Sequence, residues 1–119
     1  MKTIKSILFF MLTLFVLASC EELYRSEALP DLITKKIEQI KNEPVRNPPA
    51  EVWQFDYKGA VVYYIPPYCC DIYSDLYDAT GTLIGHPDGG FSGMGDGKFT
   101  DFGSTRTNGK LLWKDQRKR

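Results

Sequence analysis

One histidine, His86, and three cysteines, Cys20, Cys69 and Cys70, are all that this 119-residue chain offers for imidazole or thiol chemistry. A Ser-His-Asp arrangement would have to pass through that single imidazole, and no Gly-x-Ser-x-Gly elbow is present to carry a nucleophile. No carboxylate pair has a placement that the sequence fixes, so general acid–base hydrolysis has no visible machinery either. Charge of one sign is also lacking, since Lys and Arg number 15 and Asp and Glu 15. That balance leaves no electrostatic footprint for nucleic acid. Apart from residues 7–16 the chain has no long apolar run, and that one is too short to span a bilayer. The expectation is a non-enzyme that uses no cofactor and does not bind nucleic acid.

What is present begins with an export signal. Lys2 and Lys5 precede residues 7–16, which are apolar except for Thr13, and the small residues Ala18 and Ser19 lead into Cys20. Leu17-Ala18-Ser19-Cys20 is the pattern of a bacterial lipoprotein signal, in which Cys20 takes a diacylglyceryl group and becomes the first residue of the mature chain. Each buried methylene contributes about 0.8 kcal/mol, so two or three acyl chains, palmitate among them, hold a protein on a membrane essentially permanently. The expected division is a signal peptide over residues 1–19, a lipidated tether over 20–28 and one domain over 29–119. Glu21 and Glu22 behind the anchor are compatible with display at the cell surface and with a plain solvated tether. The expected location is the cell envelope, on the outer membrane of a Gram-negative cell, at its periplasmic side or its surface.

About 100 residues then remain, enough for one core. Export implies a compartment that permits disulfides, yet once Cys20 carries lipid the only thiols left are the neighbours Cys69 and Cys70. A trans peptide sets adjacent Cα atoms about 3.8 Å apart, short of the usual disulfide span. A strained vicinal bridge, two buried thiols, an intermolecular link and a metal or redox site all remain open. His86 and Asp71 are the candidates to complete such a site, although adjacent cysteines suit zinc less well than a spacing of two to four.

Leu29, Leu32, Ile33, Ile37 and Ile40 recur at helical spacing, Pro30 suits the first helical position, Asp31 complements the positive helix end, and Pro44 stops the run. An amphipathic helix at the start of the domain is therefore expected to lie on a sheet. The period then changes to two. Trp53, Phe55 and Tyr57 alternate with Val52, Gln54 and Asp56, Lys58-Gly59 makes a tight turn, and residues 60–65 run back apolar on both faces, as a central strand does. Residues 72–77 and 82–84, joined by Asp78-Ala79-Thr80-Gly81, read as a second hairpin. Residues 102–108 suggest a short turn or helix, and Leu111, Leu112 and Trp113 a last strand or flap. The fold class is α+β, with a four- to five-stranded antiparallel sheet and a Gly-rich loop.

Residues 87–97 hold five glycines. Ser92 stands where a phosphate-cradling loop needs its first glycine and Phe99 where it needs a hydroxyl, while Gly90 and Phe99 occupy carboxylate positions of a calcium loop. An irregular cation site from Asp88, Asp96 and Asp101 is the remaining ionic option, beside glycines that simply serve a tight path. Tyr63 and Tyr64 must face opposite sides of a strand. An exposed aromatic row including Tyr63, Tyr64 and Tyr68 would grip a sugar or an extended peptide; cross-strand packing is the alternative. The basic end Lys114, Arg117, Lys118 and Arg119 reads as a solvated terminus, with contact to an anionic lipid or polysaccharide as the alternative.

Asn42-Glu43-Pro44-Val45-Arg46-Asn47-Pro48-Pro49-Ala50, Val62-Tyr63-Tyr64-Ile65-Pro66, Cys69-Cys70-Asp71, Pro87-Asp88-Gly89-Gly90-Phe91 and Gly95-Asp96-Gly97-Lys98 together resemble a family of small bacterial lipoproteins of unknown function. The resemblance runs from Leu29 to Trp113 and implies a single anchored domain with no assigned activity. It also implies cysteines at the positions of Leu32, Gly85 and Phe99, so that here Leu32 and Phe99 would supply apolar packing in place of staples. The expected function is a non-catalytic envelope lipoprotein that binds an envelope protein or glycan, or serves as an accessory component, through the aromatic sheet face or the loop from Pro87 to Asp101. The alternatives are a thiol-redox or metal site at Cys69 and Cys70, and an inhibitor of a secreted hydrolase.

Overall fold

The computed structural model describes residues 28–69 and 71–119. The order of elements is α1 (Asp31–Lys41), β1 (Glu51–Tyr57), β2 (Ala60–Ile65), β3 (Asp75–Tyr77), β4 (Leu83–Gly85), α2 (Phe102–Thr105) and β5 (Thr107–Lys114). The five strands form one antiparallel sheet in the order β4-β3-β2-β1-β5, an α+β architecture with β2 at its centre.

Helix α1 lies within the chain, with thirty residues before it. Ile33, Ile37 and Ile40 are buried on one stripe and meet Val52, Tyr63, Ile65 and Tyr77 of the sheet, with Leu29 partly buried beside them. Sequestering those three isoleucines contributes about 5 to 9 kcal/mol before ordering entropy is subtracted. Leu32, expected on the same stripe, is 47% exposed, because a helix turns about 100° between neighbours and Ile33 already faces the sheet. The helix ends at Lys41 with Asn42 as its cap, two residues before Pro44.

The first hairpin closes through Lys58 and Gly59, both at positive φ (49° and 77°), with Tyr57 opposite Ala60. That backbone twist suits a two-residue hairpin turn, and Gly59 adopts it without steric cost. The second hairpin is shorter than its hydrophobic run suggested. Its turn is organised by Asp78, whose Oδ1 accepts from the backbone N–H groups of Thr80 (2.9 Å) and Thr82 (3.1 Å) and from the Thr80 hydroxyl (2.6 Å). The residues expected as a last strand or flap form a full edge strand, which starts at Thr107 and pairs with β1 across two register shifts.

Both faces of the sheet are covered. Tyr57, Val62, Tyr64 and Leu76 form a second core with Phe102 of α2, flanked by Trp53, Phe55 and Phe99. Tyr63 and Tyr64 do point to opposite faces, and each is only 7% exposed because each face has its own cover.

Candidate functional site

The second cover is irregular chain, and its attachment to the sheet defines the most distinctive surface of the molecule. After β4 the chain crosses the sheet face and is fixed by side chains that rise from the strands. The Tyr64 hydroxyl donates to Asp88 Oδ2 at 2.8 Å, and the Tyr57 hydroxyl to Asp101 Oδ1 at 2.6 Å. Burial, and then the neighbouring Asp88 carboxylate, push the Tyr64 phenol well above its ordinary range. The Tyr57 hydrogen bond holds the Asp101 carboxyl below the usual carboxylate range, with Lys58 Nζ 3.3 Å away adding to the effect.

Between those two ties the loop is pinned by its own backbone. Asp88 O accepts from the Ser74 N–H, the Gly90 N–H donates to Ile72 O, the Gly95 N–H to Gly89 O and the Asp96 N–H to His86 O, at 2.9 to 3.1 Å. Asp96 answers with its carboxylate, which accepts from the backbone N–H of His86 (3.0 Å) and of Lys98 (2.9 Å); the Lys98 bond is the main cause of its lowered pKa. Glycine is required where these strings of chain touch. At Gly95, with φ 67°, a Cβ would run into the His86 carbonyl oxygen, and at Gly85 into the ring of Phe99.

His86 itself is held on two sides. Its ring stacks on Tyr73 at 5.2 Å, and its Nδ1 lies 2.6 Å from Ser74 O and 3.2 Å from Asp75 Oδ1. A carbonyl can only accept, so Nδ1 carries the proton in that contact.

The tip that results is apolar and open to solvent. Phe91 is 95% exposed and Met94 64%, and Tyr73 and Ile72, on the segment that anchors the loop, are also exposed. These residues lie on strings of chain tied to one another by the Tyr73–Gly89 and Gly89–Met94 bridges.

Each expected site residue has a definite place. Tyr63 and Tyr64 are core residues of two different faces, which removes them from any exposed aromatic row. Tyr68 is half-buried under the Arg46 guanidinium, 4.3 Å from its ring centre. Asp88, Asp96 and Asp101 are spent on separate tyrosine and backbone donors, and among the described residues no three His, Cys, Asp or Glu side chains gather to hold a metal ion. Cys69 is exposed and disulfide-bonded, while Cys20 and Cys70 lie outside the described residues. Positions 85 and 99, where the family resemblance implies cysteines, are in contact here through the Phe99 ring; exposed Leu32 does not act as a comparable apolar staple.

Sequence reasoning missed Arg117, which is a latch and not part of a solvated terminus. All five of its N–H donors are used: Nε on Asp115, Nη1 on the carbonyls of Lys41 (2.8 Å) and Glu43 (3.0 Å), and Nη2 on Ile40 O (3.2 Å) and Asp115 Oδ2 (2.7 Å). The guanidinium thus caps the carbonyl end of α1, where a cation is favoured, and its hydrogen bonds lower the pKa of the Asp115 carboxyl. The acid–base spacing of Asp115 and Arg117 was the only sign of this in the sequence.

Fold and site together define a small α+β protein with one sheet, two unlike covers and a pinned apolar tip. Residues 38–115 match the DUF6970 domain, a domain of unknown function, and the chain belongs to that family. No curated protein and no solved structure matches the chain. Among the described residues no helix is long and apolar enough to cross a membrane.

Proposed function

We propose that this chain is a non-catalytic lipoprotein of a bacterial envelope, anchored through Cys20, whose single domain docks a partner protein through the loop tip at Phe91 and Met94. The observation that carries this reading is the near-complete exposure of Phe91 on a loop pinned by backbone hydrogen bonds. An aromatic residue held fully in water on a pre-ordered support is the form of a binding anchor, since little freedom is left to lose on docking. The Leu17-Ala18-Ser19-Cys20 pattern supports the lipid anchor, and in a Gram-negative cell it supports the outer membrane as location. The tether joins α1 at the end where Leu32 and Ile33 meet Gly81, whereas the loop departs from the far end of β4, after Gly85.

The test is a photo-crosslinking residue at position 91 in the intact chain, expressed in its own cell, with position 35 on the outer side of α1 as control. A discrete protein adduct at 91, absent at 35, is expected; adducts with lipid alone contradict the docking reading. Cys20→Ser should move the chain from the membrane to the soluble fraction, and continued membrane attachment contradicts the anchor.

A second reading, thiol exchange, is favoured by the exposed, disulfide-bonded Cys69, because accessible disulfides are the more readily reduced. Intact mass before and after mild glutathione treatment tests it. A gain of two hydrogens with two thiols newly labelled supports exchange, and resistance to glutathione removes it.

A further inference from the structure

Beside β5, the edge strand farthest from β4, a groove of about 460 Å³ opens between Lys41, Trp113, Lys114, Asp115, Gln116 and Arg117. That volume falls in the range of small-ligand sites. Two of its walls are already committed. Arg117 spends every donor on Asp115 and the end of α1, and Asp115 accepts that guanidinium on both oxygens, so the pair forms a fixed, charge-cancelled wall.

The rest of the lining is the Trp113 indole, the Gln116 amide and two ammonium groups held in surface ion pairs. Lys41 bridges to Glu38 at 2.8 Å and Lys114 to Glu51 at 3.4 Å, and neither of these acids lines the groove. Both lysines are nearly half exposed, and ion pairs of that kind hold weakly and exchange partners readily. Trp113 is partly buried against the helix-side core, which fixes its ring as a platform. A flat indole accepts the C–H face of a sugar ring, an amide both donates to and accepts from hydroxyls, and two flexible ammonium groups receive a carboxylate as point charges. An acidic peptide would satisfy the lysines but would leave the aromatic platform without a matching flat face.

We propose that this groove binds an acidic saccharide, with a sugar ring on Trp113 and its carboxylate between Lys41 and Lys114. The site is separate from the loop tip and does not depend on the docking reading. The test uses the full chain in detergent micelles, carrying Trp53→Phe so that Trp113 alone reports by fluorescence. Trigalacturonate should quench it saturably and maltotriose should not. Lys41→Ala and Lys114→Ala, both at exposed positions, should each weaken binding about fivefold with the melting temperature unchanged. No saturable quenching by trigalacturonate, an equal response to triglutamate, or unchanged affinity in the double lysine variant would each overturn the proposal.

Discussion

The two faces of the sheet are covered by opposite means. On one, α1 lays Ile33, Ile37 and Ile40 on Val52, Ile65, Tyr63 and Tyr77 of the strands, and the regular helical spacing makes the fit. On the other, irregular chain is drawn down by aromatic rings and by hydroxyls that reach across it. Tyr57 and Phe102 meet edge to face at 5.3 Å, Phe55 and Phe102 at 5.9 Å, and Tyr64 and Tyr57 hold Asp88 and Asp101. The helix-side cover is cheap to specify and uniform. The loop-side cover needs individual polar ties, and in return it can carry an exposed tip without collapsing onto itself.

The largest expected effect comes from removing the central residue of either cover. Phe102→Ala should destabilise by about 3 to 5 kcal/mol and Ile40→Ala by about 2 to 5, measured by urea unfolding of the intact chain in detergent. If the faces form one cooperative unit, both variants lower the same single transition; two separate transitions would divide the molecule along the sheet. Arg117→Ala should come next, because it leaves the Asp115 carboxylate buried without its cation and frees the carbonyls of Ile40 and Lys41 at the end of α1 and of Glu43 just beyond it. Its loss should appear first as faster amide exchange at the end of α1, with the loop unaffected. Tyr64→Phe is milder, at about 1 kcal/mol, and should loosen residues 86–88 while α1 keeps its protection. Phe91→Ser should change stability by no more than about 0.5 kcal/mol and should abolish the protein adduct formed by a crosslinking residue at position 94.

pH separates the same ties. Asp78, Asp96, Asp101 and Asp115 all have folded pKa values below their unfolded ones, so the stability they supply is present above the unfolded value of about 3.9 and is lost as pH falls through the folded values. Tyr64 and Tyr77 are shifted upward, first by burial and then by Asp88 and Asp75. Their contribution is complete below the unfolded value of about 10 and declines as pH rises beyond it. Thermal melts at acid and alkaline pH should fall on both sides, and Tyr64→Phe should flatten the alkaline limb.

The same contrast decides what could be read from the sequence. Ile33, Ile37 and Ile40 announced their face because one periodic stripe meets one sheet. The pairing of β1 with β2 followed from Lys58-Gly59, and the central place of β2 from residues 61–65 being apolar on both sides. Leu32 sat at the margin of the stripe, and only the packed helix shows it facing water. The loop-side cover was not legible, since Tyr64 and Asp88 are 24 residues apart, Tyr57 and Asp101 are 44 apart, and no period links a hydroxyl to the carboxylate it finds. The tyrosines were recognised as too many for one face, but a second cover, and not solvent, received them. Arg117 was hidden for a related reason, because its partners are backbone carbonyls more than 70 residues away, which have no signature in side-chain type.

The central claim is that irregular chain over the second face is as firmly held as the helix over the first, so that Phe91 is displayed from a fixed support. Amide hydrogen exchange on the full chain in detergent micelles tests it most directly. Protection at Ser74, Gly90, Gly95 and Asp96 comparable to that at Ile37 and Ile40 is the predicted result. Exchange at those four amides at the rate of an unfolded peptide, with α1 protected, would contradict it.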